Sequence, residues 1–161
     1  MEKIAGKKNT LLDIKNKHPW PIEVEVFSFG KLPLAYSARC FSARANNKCK
    51  DECELRCLDY PDGQLMRTLE GSDFLTINGI QLQSANHYNL LSSIKDLYEL
   101  NISCMRISPQ FKNTIEVINL FRQVIDQDAN LVAAQKTITA YAGQGECNGY
   151  WFGDPGMHRH I

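Results

Sequence analysis

A cysteine-rich stretch over residues 36–63 constrains this chain more than any other feature of its sequence. The stretch reads YSARCFSARANNKCKDECELRCLDYPDG and holds four of the six cysteines, Cys40, Cys49, Cys53 and Cys57. Because the last three recur every four residues, they would share one face if the stretch were helical. Thiols gathered this closely, in a chain without secretory features, indicate a metal or iron–sulfur site rather than a disulfide framework.

The length and charge of the chain limit the classes of protein to which it can belong. Its 161 residues fit one domain, and its 18 basic and 18 acidic residues include no block of like charge. We therefore expect neither nucleic acid nor an anionic membrane as a partner. No apolar run approaches the ~18 residues of a transmembrane segment, and the first residues lack the apolar region of a signal peptide. We expect a cytoplasmic protein whose thiols stay reduced.

The remaining patterns predict both strands and helices. Alternation of apolar and charged residues predicts a strand over 22–29, and a second strand is predicted over 102–108. Asn78-Gly79, between two short apolar runs, predicts a hairpin, and DYPDG over 59–63 predicts a turn. Apolar residues at helical spacing predict helices over 89–100 and 111–125, and a weaker pattern predicts one over 131–141. Residues 11–18 are expected to form a helical turn or two, ended by Pro19 and Pro21.

This order of elements predicts an α/β protein with mainly parallel strands. A complete eightfold β/α (TIM-like) barrel needs about 250 residues, so this chain can form only about half of one. We expect residues 1–161 to form a single partial domain, with a cysteine-rich insertion at about 36–63 and a Gly-rich, irregular tail over 143–161.

Three interpretations of the four neighbouring thiols remain open. Structural zinc sites commonly use paired knuckles across a longer loop, whereas the spacing here is C-x8-C-x3-C-x3-C with no histidine nearby. A 4Fe–4S cluster also takes four thiolates and tolerates less regular spacing, so the spacing favours iron–sulfur over zinc. The third interpretation is that the cysteines are small buried side chains. That interpretation suits Cys104, which lies in a predicted strand, better than thiols surrounded by charged residues.

Six segments in a fixed order connect the chain with a known family. They are LPLAYSARCFSAR, KDEC with a cysteine four residues further on, DYPDG, FLTINGIQ, RISPQ and ECNGYWFG. Over about 24–156 the chain resembles the UbiV family of the collagenase-like peptidase superfamily. The resemblance implies the C-terminal portion of a β/α-barrel framework that carries a 4Fe–4S cluster. It places three cluster ligands on Cys40, Cys53 and Cys57.

The resemblance leaves the fourth ligand of the cluster open. In the family this ligand lies in an N-terminal half that the present sequence does not match, so we expect a fragment or a split gene product. Another chain would then complete the site, or Cys49, Cys104 or Cys147 would substitute. For Cys147 the preferred interpretation is packing beneath Tyr150 and Trp151.

The resemblance also implies an activity and partners. UbiV-like proteins form a heterodimer with a UbiU-like protein in oxygen-independent ubiquinone biosynthesis. The pair hydroxylates the aromatic ring of the quinone precursor, with prephenate as the oxygen source, and a UbiT-like lipid carrier presents the lipid. The alternatives are a peptidase of the same superfamily and a zinc-stapled interaction module. The chain has neither a G-x-S-x-G nor an H-E-x-x-H motif to support hydrolysis.

Outside the cysteine-rich stretch the sequence assigns no catalytic residue and few binding residues. Active sites of β/α barrels form at the C-terminal ends of strands, where Arg106 could pair with a substrate carboxylate such as that of prephenate. A salt bridge is the other interpretation of Arg106. His87 is predicted to open a helix, where a capping or surface role is expected. His158 and His160 lie in the tail, where metal binding is not expected.

Overall fold

A six-stranded mixed sheet organises the computed structural model, which describes residues 2–127, 129–143 and 145–161. The strands are β1 (Glu25–Tyr36), β2 (Gln64–Arg67), β3 (Asp73–Asn78), β4 (Gln81–Asn89), β5 (Cys104–Ile107) and β6 (Glu146–Cys147). Five of them lie in the order β2-β3-β4-β1-β5, and β6 pairs with β4. The helices are α1 (Glu2–Lys17), α2 (Phe41–Ala45), α3 (Ile94–Glu99), α4 (Thr114–Ile125), α5 (Leu131–Ala142) and α6 (Gly149–Phe152).

Most strand pairs in this sheet are antiparallel, so the expectation of mainly parallel strands is wrong. β4 runs antiparallel to both β1 and β3, and β2 runs antiparallel to β3. Among the described residues only β1–β5 and β4–β6 are parallel pairs. For β2–β3 and β3–β4 the reason is connection length, because parallel neighbours need a crossover of a dozen or more residues whereas these strands are joined by short turns. Connection length does not decide the direction of β4 relative to β1, since a long segment joins them. The sheet stays open, and the predicted barrel portion is not confirmed.

The elements with the strongest local signals are confirmed. β3 and β4 form the predicted hairpin, in which Asn78 faces Gln81 across a turn containing Gly79. The φ angle of Gly79 is +61°, a left-handed conformation that glycine adopts without a steric penalty. The predicted helix over 131–141 matches α5, and α4 matches most of the one predicted over 111–125.

Other boundaries differ from the prediction. The segment 89–100 is not one helix, because β4 continues to Asn89 and α3 covers only Ile94–Glu99. Apolar residues at helical spacing, such as Leu90 and Leu91, are instead buried just after the strand. α1 is longer than the turn or two expected over 11–18, and it ends at Lys17, before two prolines.

The larger core cluster joins β1 to helices α4 and α5. Phe29 of β1 is fully buried and meets Phe121 of α4 edge to face, with ring centroids 6.2 Å apart. Four further buried residues complete this cluster: Leu91, Val117, Ala134 and Ile138. A second cluster contains Tyr88, Leu90, Leu97 and Cys147. The two helices and the middle of the sheet therefore depend on each other for burial of apolar area.

The C-terminal tail packs against the sheet: it contains the two-residue strand β6 and the short helix α6, and residues 153–161 form neither helix nor strand, as expected for an irregular tail. β6 adds to β4, and the backbone amides of Asn148 and Gly149 both donate to the carbonyl of His158 at 2.9 Å. The Asn148 side chain also binds the backbone of His160, donating to its carbonyl and accepting from its amide. Buried Glu146 accepts a hydrogen bond from Asn89 at 2.9 Å. The β6–β4 pairing and the Asn89–Glu146 bond attach the tail to β4, while the bonds of Asn148 and Gly149 hold residues 158–160 against the start of the tail.

Candidate functional site

The cysteine-rich stretch connects β1 to β2 and is not a continuous helix. After α2 it forms two 3₁₀ turns, Lys50–Glu52 and Arg56–Asp59. Between these turns Glu54 and Leu55 have φ angles of 51° and 52°, in the left-handed region. Two consecutive left-handed residues interrupt any right-handed helix. The prediction that Cys49, Cys53 and Cys57 share one helix face is therefore wrong.

Three thiols of this stretch, those of Cys40, Cys53 and Cys57, are free and half-buried. Cys40 is the N-cap of α2, where its Sγ accepts a hydrogen bond from the backbone N–H of Ala43 at 3.4 Å. Cys53 ends the first 3₁₀ turn, and Cys57 lies in the second, which packs against α2. The fold thus brings the segments of Cys40 and Cys57 into contact, while Cys53 lies on the far side of the left-handed pair.

The thiols of Cys40, Cys53 and Cys57 are suitable metal donors, but the fold does not arrange them as a metal site. Within 2–127, 129–143 and 145–161, no group of three or more His, Cys, Asp or Glu side chains is placed to hold a metal ion. The three thiols are neighbours on one connection rather than a converged set of ligands. As donors they do fit an iron–sulfur cluster, since such clusters are held by soft thiolates and none of the three is in a disulfide.

The other cysteines have three different environments. Cys49 is exposed within the stretch. Cys104 is also exposed, so its expected core position is wrong; it lies on β5, the edge strand, where its thiol donates to Glu25 Oε2 at 3.8 Å. Cys147 is buried with Tyr88 and packs beside Trp151, which confirms the Trp151 part of its predicted packing, whereas Tyr150 is 49% exposed. Burial raises the pKa of the Cys147 thiol to about 11, so this thiol stays protonated at neutral pH.

Arg106 forms a salt bridge with Glu25 of the neighbouring strand β1. This confirms the salt-bridge interpretation, and the Arg106 side chain is 61% exposed. Exposed ion pairs of this kind contribute about 0–1 kcal/mol to stability because water and salt screen them. Arg106 therefore retains an accessible guanidinium whose charge is offset by one carboxylate.

The start of the cysteine-rich stretch is held by the β3–β4 hairpin. The backbone amide of Phe41 donates to the carbonyl of Gly79 at 2.9 Å, and the Gly79 amide donates to Ser42 Oγ at 3.2 Å. The Ser37 amide donates to the carbonyl of Ile80 at 2.8 Å. These three bonds fix the backbone on both sides of Cys40.

The end of the stretch is held by Lys31, which the sequence analysis did not identify. Lys31 lies in β1 and is only 7% exposed. Its Nζ donates to the carbonyl of Asp62, in the turn after Cys57, at 3.0 Å and to Thr76 Oγ1 at 3.1 Å. Burial lowers the pKa of Lys31, and the Asp62 carboxylate partly opposes this. The available signal is one lysine in the otherwise weakly polar run FSFGKLPL, just after the strand predicted over 22–29.

His87 lies opposite Lys31 in the β1–β4 pair, so its predicted place at a helix start is wrong. The ring is 7% exposed and stacks on Phe29, with centroids 5.8 Å apart. Burial, and to a smaller extent the charge of Lys31, lower the pKa of His87 to about 4, although a hydrogen bond to the backbone of Ala142 and the charge of Asp62 partly oppose the shift. Among the residues that the structure describes, its Nδ1 has no hydrogen-bond partner. At neutral pH the imidazole is therefore uncharged.

Replacing Gly63 by alanine is expected to lower the free energy of unfolding by about 2 kcal/mol. Gly63 closes the turn after Cys57 with φ +81°, and an added Cβ would overlap Thr76 Cγ2 and lie 2.9 Å from the carbonyl of Ile77. Urea unfolding measures the change. Gly71→Ala is the matched control, because Gly71 has φ +86° but open space around it. If both variants lose the same stability, the close packing of Gly63 on β3 is refuted.

These observations define a mixed α/β protein with a thiol-bearing connection anchored at both ends. Comparison with known protein families gives a more specific assignment: the sequence profile of Peptidase family U32 matches residues 7–160. The chain therefore belongs to the U32 peptidase family, which agrees with the collagenase-like superfamily of the resemblance. No solved structure matches the chain. In the part of the chain that the structure describes, no helix has the length and apolar character needed to cross a membrane.

Proposed function

We propose that this chain is the iron–sulfur component of an oxygen-independent hydroxylase complex in ubiquinone biosynthesis. The observation that supports the proposal most directly is the set of free, half-buried thiols of Cys40, Cys53 and Cys57 on one anchored connection. Half-buried thiolates are suited to a cluster, because partial exclusion of water and nearby hydrogen bonds tune its reduction potential.

In this proposal Cys40, Cys53 and Cys57 hold the cluster. The helix capped by Cys40 already packs on the turn that contains Cys57. Because Cys53 lies before the left-handed pair Glu54-Leu55 and Cys57 after it, the proposal requires a backbone change at this pair to bring the three thiols together. Left-handed residues other than glycine cost roughly 1–2 kcal/mol each, so this pair holds strain that such a change releases.

The fourth ligand comes from another chain or from a further cysteine of this one. Cys49 is exposed and nearest in sequence, whereas Cys147 is buried in the second core cluster with a raised thiol pKa. Cys49 is therefore the better of these two candidates within this chain, whereas the resemblance assigns the fourth ligand to the N-terminal half of the family's members.

The proposed reaction requires partners beyond this chain. A 4Fe–4S cluster, when bound, supplies one-electron transfer. The hydroxylated substrate is the aromatic ring of the quinone precursor, and prephenate is the oxygen source. A UbiU-like protein is the proposed heterodimer partner, and a UbiT-like carrier would present the lipid. Arg106 is a candidate for binding a prephenate carboxylate, which would have to displace Glu25 from the guanidinium.

Single substitutions of the thiols test the proposal. Anaerobically purified protein is expected to contain iron and sulfide, and Cys40→Ser, Cys53→Ser and Cys57→Ser are each expected to lose most of both, because serine is a poor ligand for iron in these clusters. Cys104→Ser is the matched control and should keep the wild-type iron content, since Cys104 lies on β5 away from the stretch. Iron and acid-labile sulfide per chain are the measured quantities. Wild-type protein that is colourless and contains one zinc per chain would instead favour the zinc-stapled interaction module.

A peptidase is the second candidate, and the description of the matched family favours it. Hydrolysis requires a nucleophile within hydrogen-bond reach of a base. His87 is a buried neutral imidazole that could serve as the base, but its Nδ1 finds no hydrogen-bond partner in the described part of the chain. Release of peptides from gelatin or casein by the iron-free protein, abolished by His87→Gln, would favour this candidate over the hydroxylase component.

A further inference from the structure

We propose that Lys31 is a positioning residue: it fixes the turn after Cys57 to the sheet and thereby sets the place of the thiols. This inference rests on the proposed function, since it concerns the same thiols. Lys31 lies in the middle of β1, where it pairs with His87 of the adjacent strand β4, just before a register shift at Pro33. Its side chain therefore starts from backbone that is paired within the sheet.

The buried ammonium of Lys31 holds the turn by a hydrogen bond to the backbone carbonyl of Asp62 and not by one to the Asp62 carboxylate. Its two hydrogen bonds go to the carbonyl of Asp62 and to the hydroxyl of Thr76, which is fully buried in β3. The Asp62 carboxylate is engaged on another side, where its Oδ1 accepts from the Phe111 amide at 2.9 Å. The turn is thus held between β1, β3 and the loop after β5.

Because burying a charged lysine costs free energy, we infer that Lys31 has a role beyond packing. Burying an ammonium is unfavourable unless it is well hydrogen-bonded, and an apolar side chain at this place in a strand would avoid that cost. The lysine forms a hydrogen bond with the carbonyl of Asp62, which lies five residues after Cys57, and an apolar side chain could not form this bond. The same turn is closed by bonds from the Tyr60 amide to Cys57 and from the Gly63 amide to Tyr60. Displacement of Asp62 is therefore transmitted directly to Cys57.

We expect the loss of the Lys31 ammonium to affect a bound cluster in the same way as the loss of a hydrogen bond that orients a metal ligand. Such losses typically weaken metal binding about 10–100-fold. Because Lys31 acts through five residues of backbone rather than on a ligand directly, we expect the lower end of that range for Lys31→Met. Lys31→Arg should restore much of the retention, since a guanidinium can donate to both acceptors.

The test compares the full chain with Lys31→Met, Lys31→Arg and Glu146→Gln after anaerobic reconstitution with iron and sulfide. The rate of iron loss to a chelator is expected to rise about tenfold in Lys31→Met and to stay within about twofold of wild type in Lys31→Arg. Glu146→Gln disturbs another buried polar network, which includes Asn89 and Gln135, and controls for general destabilisation. If Glu146→Gln loses iron as fast as Lys31→Met, the positioning role is refuted.

Hydrogen exchange of the iron-free protein gives a second, independent measurement. The Tyr60 and Gly63 amides are expected to exchange at least several-fold faster in Lys31→Met, while amides of α4 and α5 keep wild-type rates. Unchanged exchange and unchanged iron retention in Lys31→Met overturn this inference but leave the proposed function standing. Wild-type protein without iron overturns the proposed function, and the exchange rates then decide the positioning role alone. If Lys31→Met does not fold, the shorter and uncharged Lys31→Gln replaces it in both measurements.

Discussion

Replacing Phe29 by alanine is expected to lower the free energy of unfolding by about 4 kcal/mol. Phe29 is 0% exposed and contacts two other rings, those of Phe121 and His87, at centroid distances of 6.2 and 5.8 Å. Truncation removes these contacts and leaves a cavity between β1 and the helices α4 and α5, which cannot collapse around a rigid strand. Urea unfolding followed by circular dichroism at pH 7 measures the loss.

Phe74→Ala is the matched control for this experiment. Phe74 is the same residue type on strand β3, but it is 49% exposed. Its truncation should lower the free energy of unfolding by no more than about 1 kcal/mol. A loss below about 1 kcal/mol for Phe29→Ala as well would mean that α4 and α5 do not pack on β1 in solution.

Lowering the pH from 7 to 4 is expected to remove about 3 kcal/mol of stability through His87 alone. The pKa of His87 in the folded protein is about 4, below its ordinary value of 6.5. The folded state therefore binds fewer protons than the unfolded state, so the stabilisation is present above pH 6.5 and is lost as the pH falls toward 4. Since a tenfold change in proton affinity corresponds to about 1.4 kcal/mol, the full difference is roughly 3 kcal/mol.

Urea unfolding at half-unit steps between pH 7 and pH 4 measures this dependence. His87→Gln cannot take up the proton, so its stability should be lower at pH 7 but should change less with pH than that of wild type. The two charged groups that act on His87, Lys31 and Asp62, are present in both proteins. Equal pH dependence in wild type and His87→Gln would contradict the buried, neutral imidazole.

Local signals in the sequence were sufficient for several elements of the fold. The Asn78-Gly79 hairpin and the turn closed by Gly63 follow from backbone angles that glycine adopts readily. α4 and α5 follow from apolar residues at helical spacing, which need only one sheet face to pack against. The cysteine-rich stretch was also evident, because four thiols within 40–57 are visible without any structure.

Local signals failed where the environment came from distant parts of the chain. His87 was assigned to a helix because apolar residues after it recur at helical spacing, yet pairing with β1 keeps this segment extended. The spacing of Cys49, Cys53 and Cys57 suggested a helix, but left-handed Glu54 and Leu55 break it. A left-handed pair of this kind is stable only where many surrounding contacts hold the backbone in place. The spacing of the cysteines in the sequence gives no information about those contacts.

The sequence by itself determined the thiol-rich connection, the hairpin and the two helices that cover the sheet, because each depends on residues close together in the chain. Only the tertiary structure decided the directions of the strands, the burial of His87 and the bonds of Lys31 to Asp62 and Thr76. Those features depend on groups separated by 31 and 45 residues, and long-range pairing is selected by the free energy of the whole packed sheet rather than by any local preference.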